Sequence, residues 1–169
     1  LLIDVNRDLD ADTLIRKSAE GRIIALNSDI SPAELHTRIE NYWRPYHVAA
    51  SQLVKSVENG FVLGLHRFTD NYEGQRRTME VGVLFDQDEN VGLWAADWLA
   101  KTGLNVVVNE PYSGKNGLMY SPQRHATENH RKTVELEIRQ DLLGDDTWRR
   151  KWAPVFGHFA REISLRWPG

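Results

Sequence analysis

The chain contains no cysteine. That absence excludes a disulfide framework and any thiolate metal site, and it fits a reducing cytoplasm. Long apolar runs are missing too. None approaches the ~20 residues that a membrane-spanning helix needs, so no membrane partner is expected. Neither a G-x-G-x-x-G fingerprint nor Walker spacing occurs, which removes the common dinucleotide and P-loop sites. Charge of one sign is not in excess: 21 Lys and Arg stand against 24 Asp and Glu, a net charge of −3, so no broad basic surface for nucleic acid is expected. There is no internal repeat and no low-complexity segment.

At 169 residues the chain suits one domain with one core, and residues 1–169 are read as a single α/β domain. It opens Leu1-Leu2-Ile3-Asp4-Val5-Asn6-Arg7, an apolar strand entered in mid-course. An N-terminal segment preceding residue 1 is therefore expected. Residues 8–29 are polar and irregular, with one helical turn at Asp12 to Lys17. Ser31-Pro32-Ala33-Glu34 combines an N-cap Ser, a Pro at the first helical position and a capping-box Glu. Leu35, Ile39, Trp43, Tyr46, Ala50, Leu53 and Val57 follow by threes and fours, which predicts one amphipathic helix over 32–58, kinked at Pro45.

Apolar runs at 61–65, 81–85, 104–108 and 134–138 predict strands, separated by helices at about 90–102 and 121–131. Trp148, Trp152, Val155, Phe156, Phe159 and Ile163 predict a C-terminal helix capped by Asp145, Asp146 or Thr147. The six Trp residues fall mainly at helical spacing and read as core. Strands alternating with helices, without tight hairpins, predict a three-layer αβα sandwich with a mainly parallel mixed sheet. Ligands of such sheets sit beyond the carboxyl ends of the strands, so the polar residues just past each apolar run are the candidates for chemistry.

His66 ends the first of these runs. It is either a rim histidine bonded to backbone or a metal ligand. His36 and His158 read as surface residues, His125 and His130 as solvent-exposed, and His47 faces either way. Glu135 and Glu137 alternate with Val134, Leu136 and Ile138, so both carboxylates point to one face of a strand. Burying them is expensive unless they are paired or functional. Arg139 shares that face and is one possible partner; the other reading is a general base beside a metal. Asn6 and Arg7 offer donors for a carboxylate, or form a surface loop. The stretch Asn109-Glu110-Pro111-Tyr112-Ser113-Gly114 reads as a shaped loop over a pocket, with Tyr112 or Tyr120 able to reach in.

Six segments, in order, resemble the N-formylglutamate amidohydrolase family. They are Asp4-Val5-Asn6-Arg7, Trp43-Arg44-Pro45-Tyr46-His47, Leu65-His66-Arg67-Phe68-Thr69, Val81-Gly82-Val83-Leu84-Phe85-Asp86, Asn109 to Gly114, and Val134 to Asp141. The family is in turn similar to the zinc carboxypeptidases. The resemblance implies a zinc peptidase-like hydrolase fold and one Zn²⁺. It puts His66 as a metal ligand, Glu137 as the general base, and Asn6, Arg7 and Tyr112 at the substrate. The remaining zinc ligands are expected upstream of residue 1, because a catalytic zinc takes three protein ligands. The implied reaction is hydrolysis of an N-acyl amino acid, N-formyl-L-glutamate to glutamate and formate, as in cytoplasmic histidine degradation. The alternatives are a peptidase or deacylase with another substrate, or a non-catalytic binding module of the same fold.

Overall fold

A computed structural model describes residues 21–168. The expected strand at Leu1–Val5, the helical turn at Asp12 to Lys17, and the candidates Asn6 and Arg7 lie outside the described residues. The chain divides into two compact units, one up to Ser56 and one from Val57 onward.

In the first unit, helix α1 (Pro32–Arg38) starts where the motif placed it. The Ser31 hydroxyl oxygen accepts the Glu34 N–H at 3.2 Å. A single kinked helix was the expectation; the structure instead has a π-helical turn at Ile39–Trp43 and then α2 (Arg44–Ser56). The Arg44 N–H donates to the Ile39 carbonyl, five residues back. Pro45 has no N–H for the Asn41 carbonyl, and its ring crowds that carbonyl. A widened turn accommodates both defects. Ile39, Trp43 and His47, each four residues apart, are the buried side chains of this segment.

The second unit runs β1 (Val62–Phe68), β2 (Asn71–Tyr72), β3 (Gln75–Arg76), β4 (Val81–Leu84), α3 (Glu89–Ala100), β5 (Val106–Val108), α4 (Tyr120–Glu128), β6 (Thr133–Arg139), α5 (Gln140–Gly144) and α6 (Asp146–Arg166). The four main strands lie in the order β1-β6-β4-β5. Strands β1 and β6 are parallel, β4 and β5 are parallel, and β4 runs antiparallel to β6. The sheet is thus mixed and mainly parallel, and with its covering helices it is a three-layer α/β sandwich. One expectation fails: β2 and β3 form a tight hairpin, turned by Glu73 and Gly74, both at positive φ. Two positive φ values in a two-residue loop suit the twist of a hairpin, and Glu-Gly is a weaker signal for it than Asn-Gly.

Alternation along the strands makes the core. Leu63, Val81, Val83, Val134 and Leu136 share one face and pack against Val91, Ala95 and Leu99 of α3 and Trp152, Phe159 and Ile163 of α6. Asp145 caps α6, its carboxylate accepting the Thr147 and Trp148 N–H groups. Trp94, Trp98, Trp148 and Trp167 pack around this core, as their spacing suggested. Helix α4 packs on β1 and β6 and buries Pro122, His125 and Ala126. His125 is therefore not solvent-exposed as its polar helix implied, and burial lowers its pKa. Among the described residues no helix is long and apolar enough to cross a membrane.

Candidate active site

The register of β1 on β6 decides what meets on the face opposite the core. His66 lies across from Glu137, and Gly64 across from Glu135. On the other side of β6, Gly82 of β4 pairs with Glu137 and Leu84 with Glu135. His66 sits within β1, two residues short of its end, rather than at the strand terminus. Its ring is 56% exposed, whereas the Glu135 side chain is 1% exposed, and His66 Nε2 stands 3.6 Å from Glu135 Oε2. Ligand atoms of His66, Glu135 and Glu137 all fall within 4.8 Å of one another. The flanking strands carry glycine where a side chain would intrude. A Cβ on Gly64 would come 2.8 Å from Glu135 Cγ, and one on Gly82 would come 2.2 Å from the Glu110 carbonyl oxygen. Those contacts are closer than any real Cβ tolerates, so both positions require the missing side chain.

Glu135 is the electrostatic anomaly. Neither of its buried oxygens has a hydrogen-bond partner, and 3.6 Å to His66 is too long for one. Burial first, and the nearby Glu137 charge second, push its carboxyl up to about 8. Arg139, considered as the neutralising partner, shares the face but turns elsewhere. Its Nε donates to Asp141 at 2.7 Å, and its Nη1 donates to the carbonyls of Arg77, Thr78 and Met79 at 3.0–3.2 Å. Those four acceptors satisfy the guanidinium beyond the strand end, where it meets less desolvated carboxylate than Glu135. Two buried carboxylates and an imidazole within mutual ligand distance, one carboxylate lacking any hydrogen bond, fit a divalent cation held between them.

This arrangement sets a pH dependence. Glu135 ionises near its ordinary 4.5 in the unfolded chain but near 8 when folded. The folded state therefore binds the extra proton between these values, and stability falls as pH rises through the window. Metal-stripped protein should lose roughly 2–4 kcal/mol between pH 5 and 8.5, allowing for local relaxation. Denaturant unfolding at several pH values measures it. Glu135→Gln should flatten the slope, and an unchanged slope would remove Glu135 as its source.

The family model for N-formylglutamate amidohydrolase matches residues 1–143. The chain belongs to the N-formylglutamate amidohydrolase family. Among solved structures it is similar to the Agrobacterium tumefaciens gene product Atu2144, with a TM-score of 0.74 and 25% identity over 88% of this chain and 60% of that one. It also shares its fold with an N-formylglutamate amidohydrolase from Ralstonia eutropha JMP134, with a TM-score of 0.51 and 19% identity over 88% of this chain and 56% of that one. The chain thus spans about 60% of the length of the first of these. No curated protein matches it.

Of the residues that family resemblance singled out, His66 and Glu137 are brought together, joined by Glu135. Tyr112 lies on the loop after β5. That loop is shaped by Asn109, at φ 50°, and by the cis Glu110–Pro111 bond. The Asn109 side-chain oxygen accepts the N–H groups of Phe85 and Gly114, both at 3.1 Å, which ties the loop to the end of β4. The Glu110 carbonyl then lies over Gly82, the residue paired with Glu137. The Tyr112 ring centre is 5.7 Å from the Arg77 guanidinium. The sequence placed Glu135 on the face of Glu137 without giving it a role of its own, and it did not single out Arg77. The signal available for Glu135 was Gly64, a glycine inside an apolar strand that marks a close approach.

Proposed function

We propose that the protein is a zinc-dependent amidohydrolase that cleaves N-acyl amino acids, N-formyl-L-glutamate to glutamate and formate, in the cytoplasm. The observation that carries the reading is the His66, Glu135 and Glu137 cluster on the sheet face opposite the core, in a chain whose family is that of N-formylglutamate amidohydrolase. His66 would hold the metal, with further ligands from the full-length protein. A zinc ion there would polarise the acyl oxygen and lower the pKa of a water molecule toward ~7.

Glu137 would accept a proton from the attacking water as the water oxygen bonds to the acyl carbon. It then passes the proton to the amide nitrogen as the carbon–nitrogen bond breaks, so one carboxylate serves as base and then acid. Its near-complete burial keeps bulk water from competing for the proton. Asn6 and Arg7 would supply donors to a substrate carboxylate, and Tyr112 would border the acyl amino acid from the loop over Gly82.

The test is metal removal. Full-length protein should release formate from N-formyl-L-glutamate, lose that activity on chelation, and regain it with one equivalent of zinc. Turnover indifferent to chelation, or no hydrolysis of any N-formyl amino acid, would overturn the reading.

A further inference from the structure

One row of the same sheet face lies beyond the His66–Glu137 pair. There Phe68 is opposite Arg139, two residues further along both strands, roughly 6.5–7 Å on. Arg77 occupies the space over this row. Its guanidinium carbon is 5.8 Å from the Phe68 ring centre, 5.1 Å from Tyr72 and 5.7 Å from Tyr112. Its own carbonyl accepts from Arg139 Nη1 at 3.2 Å. Arg77 therefore stands at the carboxyl ends of β1 and β6, where ligands of open α/β sheets bind. The Tyr112 loop flanks it on one side and the β2–β3 hairpin on the other.

Among the described residues, no carboxylate pairs with Arg77. Its neighbours Arg76 and Arg139 both pair with Asp141, at 3.4 and 2.7 Å. Arg77 is half-buried and has no ion pair among the described residues. Only its Nη1 donates, to the Thr69 carbonyl at 3.2 Å and, more weakly, to the Thr69 hydroxyl at 3.5 Å. Nε and Nη2 make no hydrogen bond among the described residues. Three aromatic faces hold the guanidinium in place without neutralising it. What remains is an oriented pair of N–H donors carrying a full positive charge, the geometry that takes a carboxylate in bidentate fashion.

We infer that Arg77 is the specificity-determining residue that receives the side-chain carboxylate of the substrate. The inference rests on the hydrolase reading above and assigns a residue to one end of its substrate. With the scissile amide at the His66–Glu137 row, one row of strand separates it from Arg77, about the reach of a side chain with two methylenes. The α-carboxylate is then left to other donors. A neutral or apolar side chain in this position would strand the Arg77 donors without an acceptor, which is the source of the selectivity.

The experiment compares kcat/KM of the full-length protein on three substrates: N-formyl-L-glutamate, N-formyl-L-glutamine, and the α-amide of N-formyl-L-glutamate. Wild type should favour the side-chain acid over the side-chain amide by roughly 10- to 100-fold, as for one charge-assisted contact. In Arg77→Met that ratio should collapse toward one, and Arg77→Lys should keep an intermediate ratio, having the charge but not the fork. An equal fall on acid and amide would show a merely structural Arg77 and overturn the inference. So would a preference that survives in Arg77→Met, or one lost only against the α-amide. If wild type hydrolyses these substrates without preferring the acid, the specificity fails and the amidohydrolase reading stands. If it hydrolyses none of them, both fall.

Discussion

Glu137→Gln should leave zinc content at the wild-type level and lower kcat on the order of 10²–10⁴-fold, the range for a lost general base. The substitution keeps the shape of the side chain and removes its capacity to accept a proton. Glu137 is set apart from Glu135 by position. It is the nearer of the two to the carboxyl end of β6, and it is paired across the sheet with His66 on one side and with Gly82, beneath the Glu110 carbonyl, on the other. Glu135 is two residues deeper, beside Gly64 and Leu84. Their backbone positions lie about 6.5–7 Å apart along the strand, so the two carboxylates approach a reacting atom from different depths. Removing the Glu137 base should therefore show in kcat, with KM nearly unchanged. Glu135→Gln should show instead in stability of the metal-free protein and in metal affinity. The decisive measurement is turnover of the two variants at matched zinc content. Near-wild-type turnover in Glu137→Gln, together with a dead Glu135→Gln, would assign the proton to the deeper carboxylate.

Much of this site was legible because it depends on local rules. The period of two along residues 134–138 puts Glu135 and Glu137 on one face whatever the fold. The apolar run before His66 puts that residue in a strand, and Ser31 with Glu34 fixes the start of a helix. What no local rule supplies is the neighbour of each strand. That His66 faces Glu137 follows from the pairing of β1 with β6, strands far apart in the sequence. Side-chain direction is equally non-local. Arg139 was correctly placed on the carboxylate face, yet it bends beyond the strand end because Asp141 and three backbone carbonyls gather there. His125 looked exposed because its helix is polar; α4 nonetheless packs that turn on β1 and β6. Arg77 was invisible for a related reason. Its significance is that no carboxylate among the described residues pairs with it, and an absence in space leaves no mark on a sequence.

His66→Ala should abolish stoichiometric zinc in the full-length protein while leaving it folded. His66 is the one imidazole in the cluster found among the described residues; its companions are two buried carboxylates, and burial pushes that of Glu135 up to about 8. Without the imidazole, a divalent ion would lose the neutral nitrogen ligand that the cluster offers. Little packing is lost, because the ring is more than half exposed on β1. The two effects separate in a thermal melt. A zinc concentration a thousandfold above Kd should stabilise wild type by about 4 kcal/mol, and at roughly 2–4 °C per kcal/mol for a chain of this size the midpoint should rise by about 8–16 °C. In His66→Ala the metal-free midpoint should stay close to that of metal-free wild type, and the zinc-induced rise should disappear. Metal analysis after gel filtration gives the stoichiometry directly. One retained zinc per chain in the variant would remove His66 from the ligand set and would leave the buried carboxylates as the residues to explain.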